Sequence, residues 1–145
     1  MLNPDFKEFM QSLKANQVRY LGIGGYAVAL HGYPRYTEGM DIWIERTPEN
    51  AARLLKALEQ FGFAPLGLRE RDFLEPDQII QLGYPPCRID LLTSLPGVEF
   101  GACYPARVEV EIEGVTVLFI SLEHLKQNKR ASGRRQDLAD LENLE

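Results

Sequence analysis

The sequence is short of cysteine, of long apolar runs and of positive charge, and each shortage removes a class of function. Only two cysteines occur, Cys87 and Cys103. They have no CxxC spacing and no histidine at ligand spacing, so they are expected to be ordinary reduced side chains rather than a disulfide or a zinc site. Gly24, Gly25, His31 and Gly32 break up the longest apolar stretch. It falls short of the ~20 residues that cross a bilayer, so no membrane association is expected. The N-terminus, MLNPDFKEFMQ, has no basic region followed by an apolar stretch. It does not read as a secretory signal, and a cytoplasmic location is expected. Net charge is −5, against broad non-specific binding of nucleic acid. Serine nucleophile chemistry lacks support, because Ser94, Ser121 and Ser132 have no convincing histidine partner.

What remains is a chain of 145 residues, 45% apolar and 26% charged, the length and balance of one soluble globular domain over residues 1–145. Its charge is uneven at the C-terminal end. KQNKRASGRR, from Lys126 to Arg135, holds five basic residues in ten, and the acidic QDLADLENLE follows.

Asn3-Pro4 is a cap followed by proline at the first helical position. Phe6, Phe9, Met10 and Leu13 then recur at helical spacing, predicting a helix over 4–15. Val18 to Ile23 reads as a strand, and Ala27 to His31 as a short helix opened by Gly24-Gly25. After a Pro34-Arg35 turn, Met40, Ile42 and Ile44 alternate with Asp41, Trp43 and Glu45 as a half-buried strand. Thr47-Pro48-Glu49 caps a helix that Gly62 ends. Asp77 to Gly83 and Cys87 to Thr93 read as strands joined by Tyr84-Pro85-Pro86. Glu113-Gly114 predicts a hairpin between 108–112 and 115–120. Ser121-Leu122-Glu123 opens a helix to Ala131, Gly133 interrupts it, and a last helix carries Leu138, Leu141 and Leu144. The expected fold is α/β (α+β), a mixed β-sheet flanked by helices.

Residues 39 and 41 share one face of their strand, opposite Met40 and Ile42. In CRIDLLT, Asp90 faces away from Ile89 and Leu91. If the two strands are neighbours, Asp41 and Asp90 form a carboxylate pair that a divalent cation would neutralise. Spacing alone sooner gives two unrelated solvent-facing acids. Gly24 and Gly25 would let a backbone approach a phosphate, or would simply form a tight turn. Lys129 is either a point charge for a phosphate or a solvated helix-face lysine. His31 reads as a helix-end residue, Trp43 as a packed aromatic or a base-stacking one, and Arg35 as a phosphate contact or a surface arginine.

Taken together, GIGGYAVALHGYPRYTEGMDIWI resembles the signature of the nucleotidyltransferase superfamily that includes DNA polymerase β. Within it, the segment resembles a group related to the toxin partner of abortive-infection toxin–antitoxin pairs. LEPDQIIQLGYPPCRIDLLTSLPGVEF, FISLEHLKQNKRASGRRQDLADLENL and the helix at 48–61 extend the resemblance over nearly the whole chain. The resemblance implies Mg²⁺- or Mn²⁺-dependent transfer of a nucleotidyl group from a nucleoside triphosphate to the hydroxyl of a tRNA, protein or small-molecule acceptor. It also implies an antitoxin-type protein partner. Gly24 and Gly25 would form the phosphate-side loop. Asp41 and Asp90 would be the second and third metal acids, with Asp90 helping to deprotonate the acceptor. Lys129 and Asp137 would stand around the nucleotide.

One position departs from that pattern. The family acid that bridges two metals belongs at position 39, which is glycine here. Glu38 faces the other side of a regular strand and replaces it only if Gly39 lets the chain twist. Losing a direct ligand should cost at least the ~10–100-fold that follows loss of a residue merely supporting one. Weak metal binding and impaired catalysis are therefore expected. The alternative is a non-catalytic descendant that binds a nucleotide or a protein partner. A third reading, a generic partner-binding domain, predicts no nucleotide binding. Aspartate restored at position 39 should complete the ligand set and enlarge the stabilisation that metal confers. The basic run is expected to present Lys126, Lys129 and Arg130 at the cleft mouth, with Arg134 nearby.

Overall fold

The computed structural model describes residues 4–34, 37, 39–62, 67–84 and 87–145. The features expected at Asn3, Arg35, Glu38 and Pro85-Pro86 lie outside these residues. Phe6, Phe9, Met10 and Leu13 form the fully buried stripe of helix α1 (Pro4–Ala15). Strand β1 (Tyr20–Ile23) leads directly into α2 (Gly24–Leu30), and β2 (Gly39–Ile44) follows. In α3 (Pro48–Phe61) the Thr47 hydroxyl accepts a hydrogen bond from the Asn50 backbone N–H, and Gly62 closes the helix at φ 101°. That is the cap-and-glycine grammar expected from the sequence.

A 3₁₀ turn (Glu70–Phe73), β3 (Ile79–Leu82), β4 (Arg88–Leu92) and a one-turn helix α4 (Phe100–Cys103) make up the middle of the chain. The β5 (Val108–Ile112) to β6 (Val115–Phe119) hairpin turns through Glu113 and Gly114, both at positive φ. A type I′ hairpin turn requires that conformation. Helix α5 (Leu122–Ser132) starts at Ser121, whose hydroxyl accepts from the His124 N–H, and ends at Gly133 with φ 68°. Helix α6 (Arg135–Leu144) completes the fold.

The six strands form one mixed sheet in the order β3-β4-β2-β1-β6-β5. β2 pairs in parallel with β4, and β1 with β6; the other neighbours are antiparallel. Helices α1 and α3 pack together, as do α5 and α6. The fold class matches the expectation of a mixed sheet flanked by helices. Asn50 locks β1 to β2 from below: its side chain accepts from Arg19 N–H (2.7 Å) and donates to the carbonyls of Arg19 (3.0 Å) and Glu45 (2.8 Å). All three bonds are made by a buried residue, so the backbone groups at that sheet end are satisfied. Among the described residues, no helix is long and apolar enough to cross a membrane.

Both cysteines are free thiols, and Cys103 is fully buried. Burial, assisted by the charge of Glu99, pushes its thiol up to about 11. It is therefore a packing residue rather than a nucleophile. Trp43 is buried and meets Phe100 edge-on, with ring centroids 5.1 Å apart, so it packs α4 onto the sheet. His31 lies at the end of α2, and its Nε2 donates to the Ile120 carbonyl (2.9 Å).

Candidate functional site

The parallel pairing of β2 with β4 sets Asp41 directly opposite Asp90. Paired residues on adjacent strands share a face and lie ~4.8 Å apart across the ladder. Asp41 is partly exposed at the C-terminal end of β1, because β1 and β2 are antiparallel and Ile23 is its partner. Its carboxylate presses against Gly24. A Cβ at Gly24 would collide with that carboxylate, and Gly24 also sits at φ +68°. Glycine is needed here twice over, for the left-handed backbone and for the space Asp41 fills. Gly25 follows inside α2 and is buried.

Asp41 and Gly24 line a cavity of about 410 Å³, together with Lys129, Ser132, Arg134 and Asp137. Of the expected functional residues, the structure thus gathers Gly24, Asp41, Lys129 and Asp137 around one opening. Asp90 is not part of that lining. It is buried and forms an ion pair with Arg88 (Nε to Oδ1, 3.2 Å).

The basic run is arranged differently from the sequence expectation. Lys129 and Arg134 line the cavity, whereas Lys126 and Arg130 do not. Arg130 instead bonds Glu145 at the surface (3.1 Å). Lys129 is buried, and its ammonium reaches Asp137 (3.3 Å) and Asp140 (2.8 Å), tying α5 to α6. Ser132 and Arg134 add hydrogen bonds to the Asp137 carboxylate (2.5 and 2.8 Å), and Gln136 adds one to Asp140 (2.9 Å). Arg134 is the outward-facing cation of the group, with its side chain 79% exposed. Its guanidinium is favoured in the charged form by Asp137 first and by Asp41 as a weaker neighbour.

This network should make the α5–α6 joint acid-sensitive. Burial works to raise the Asp137 carboxyl, but bonds from Arg134 and Ser132 and the charge of Lys129 outweigh it and hold the group below the usual carboxylate range. A depressed carboxyl contributes stability that is fully present above its unfolded value, ~3.9, and is lost as pH falls through the folded value. Urea midpoints should therefore fall as pH drops below about 4, and Asp137→Asn should flatten that fall. An equally steep decline in the variant would remove Asp137 as its source.

Position 39 has little room for any side chain. Gly39 is the register partner of Arg88, and a Cβ built on it would run into the Arg88 carbonyl. Its carbonyl accepts from Thr37 Oγ1 (2.8 Å), which fixes the start of β2. No group of three or more histidine, cysteine, aspartate or glutamate side chains is placed to hold a metal among the described residues. Asp41 and Asp90, register partners on β2 and β4, are the two acids at hand, a donor set too small for two ions. Sequence reasoning missed Arg88, Ser132 and Asp140. Arg88 lies two residues before Asp90 on one strand and Asp140 three after Asp137 on one helix, so each shares a face with an acid already singled out.

No protein-family model matches the chain, and no curated protein matches it. Among the solved structures that share its fold are two described as nucleotidyltransferase-like. One is a Thermotoga maritima protein provisionally described as a nucleotidyltransferase: TM-score 0.65, 16% identity, 99% of this chain and 94% of that one covered. The other is an antigenic nucleotidyltransferase-like protein from Paracoccidioides brasiliensis: TM-score 0.56, 18% identity, 96% of this chain and 73% of that one. At such identities the likeness establishes a nucleotidyltransferase-like fold.

Proposed function

We propose that this chain binds a nucleoside triphosphate in the Asp41 cavity, and that it is a nucleotidyltransferase-like protein whose transfer activity is impaired at Gly39. The observation that carries this reading is the cavity in which Asp41, the register partner of Asp90, meets Gly24 and Arg134. The fold shared with the two neighbours supports it. In this reading Arg134 meets the phosphates from solvent, where its bidentate fork suits their oxygens. Gly24 lets the chain come close to them. Lys129 and Asp137 form the cavity wall, with the lysine charge largely spent on its two carboxylates. Asp41 and Asp90 would hold one divalent cation, which would draw charge from the triphosphate when bound. Acceptors remain those the resemblance implies, a tRNA, a protein or a small molecule, with an antitoxin-type protein as partner.

Arg88 favours the alternative of a non-catalytic descendant. Its guanidinium already neutralises Asp90, so a metal competes with a tethered cation for that carboxylate. A thermal-shift screen of nucleoside triphosphates, with and without Mg²⁺, separates the readings. At a hundredfold excess over Kd a ligand adds about 2.7 kcal/mol, worth several degrees in Tm for a chain of this size. The gain should shrink in Arg134→Ala, and its Mg²⁺-dependent part should vanish in Asp41→Asn. Labelled triphosphate then decides between slow transfer to an acceptor and binding without turnover. No shift with any triphosphate would overturn both and leave a generic partner-binding domain.

A further inference from the structure

A second cavity, of about 380 Å³, lies at the other end of β1, where Val18, Arg19 and Tyr20 enter the sheet. It shares no lining residue with the Asp41 cavity. Lys14 from the end of α1, Arg19, Arg53 from α3 and Arg107 before β5 all line it, against one acid, Glu109. The chain as a whole carries 16 basic and 21 acidic residues, so four cations to one acid around a single cavity reverses its overall balance. Four separate segments supply those cations. The cluster is therefore a product of the fold, not of a basic run in the sequence.

Arg107 is held in place. One of its terminal nitrogens donates to the Tyr104 carbonyl (3.0 Å), the other pairs with Glu109 (3.1 Å), and the guanidinium lies 4.2 Å from the centre of the Tyr104 ring. Among the described residues its buried Nε–H has no hydrogen-bond partner, a donor left over in a rigid group. Arg19 lies 5.3 Å from the same ring centre and reaches Glu45 at 3.5 Å, a long and exposed pair. Among the described residues Lys14 makes one long bond, to Thr116 (3.4 Å), and its side chain, like that of Arg53, is exposed.

We infer that this cavity is a phosphate-binding site, separate from the Asp41 cavity. The ligand's recognised part is the phosphate and not a base. Phe100 stacks on Tyr104 at 5.4 Å and the two guanidiniums cover it, so the ring has no free face for a nucleobase. Converging Arg and Lys donors suit the several oxygens of a phosphate, and Arg107 is oriented before the ligand arrives. Two sources carry this chemistry: a small phosphoanion such as pyrophosphate, or the backbone of an RNA strand.

The test uses pyrophosphate by calorimetry and a single-stranded RNA oligonucleotide by fluorescence anisotropy, both in the Arg134→Glu protein, which silences phosphate contacts at the Asp41 cavity. Arg53→Glu and Lys14→Glu are then added one at a time. Both side chains are exposed, so folding should survive, as circular dichroism will confirm. Each substitution should weaken the bound probe by about ten-fold or more. For RNA each should also lower the salt slope by roughly 0.7 per lost phosphate contact. Pyrophosphate binding without RNA binding assigns the site to small phosphoanions. RNA binding that is tighter than pyrophosphate, and sensitive to both substitutions, assigns it to an RNA backbone. If neither probe binds, or binding ignores both substitutions, the proposal is wrong.

Discussion

Lys129→Met should cost about 3–5 kcal/mol of folding stability, the range for breaking a buried ion pair by removing one partner. The lysine side chain is 3% exposed, and its carboxylate partners Asp137 and Asp140 are 8% and 1% exposed. Methionine fills much of the lysine's volume but leaves two buried anions without the cation between them. Arg134 and Ser132 still serve Asp137, and Gln136 still serves Asp140, so the loss falls chiefly on the α5–α6 joint. Urea denaturation would show it as a drop in midpoint at nearly constant slope. Adding Asp137→Asn and Asp140→Asn should recover much of the loss, because the uncompensated charges go with the lysine. A cost below about 1 kcal/mol would mean that the three residues behave like an exposed pair.

Lys129 also shows where sequence reading stops. Its helix, its start at Ser121 and its end near Gly133 were all evident locally, because caps and left-handed glycines act within a few residues. The same holds for α3, bounded by Thr47 and Gly62, and for the Glu113-Gly114 hairpin. Whether Lys129 faces solvent depends on how α6 folds back onto α5. That is a tertiary event, and a row of charges along a helix does not record it. The one-turn helix α4 and the 3₁₀ turn were not foreseen, since neither is long enough to show a period.

The acid pair divides in the same way. Alternation within each strand put Asp41 and Asp90 opposite their apolar neighbours. That β2 and β4 are parallel neighbours is a matter of topology, and the structure supplies it. The Arg107 cavity left no trace in the sequence, since Lys14, Arg19, Arg53 and Arg107 are scattered along the chain and meet only when α1, α3 and the hairpin close on β1.

Gly39→Asp should destabilise the protein rather than rebuild a metal site, the reverse of what the family pattern suggests. The new Cβ would meet the carbonyl oxygen and carbon of Arg88, which are backbone atoms of β4. Shortening the Arg88 side chain cannot relieve that collision; the two strands have to part. Such overpacking costs about 1–3 kcal/mol. The carboxylate then adds repulsion from Asp41 and Asp90, although the Arg88 guanidinium offsets part of it. Gly39→Ala separates the contributions. It should carry most of the loss if crowding dominates, with Gly39→Asp only somewhat worse at low metal. Mg²⁺ titrations followed by thermal shift complete the test. If the Asp variant gains clearly more from Mg²⁺ than the parent and Gly39→Ala does not, the strands can yield and position 39 is a ligand site that lost its acid. If both variants are simply weaker, Gly39 is a close-packing residue between β2 and β4. Metal-dependent transfer would then require moving a strand as well as restoring an acid.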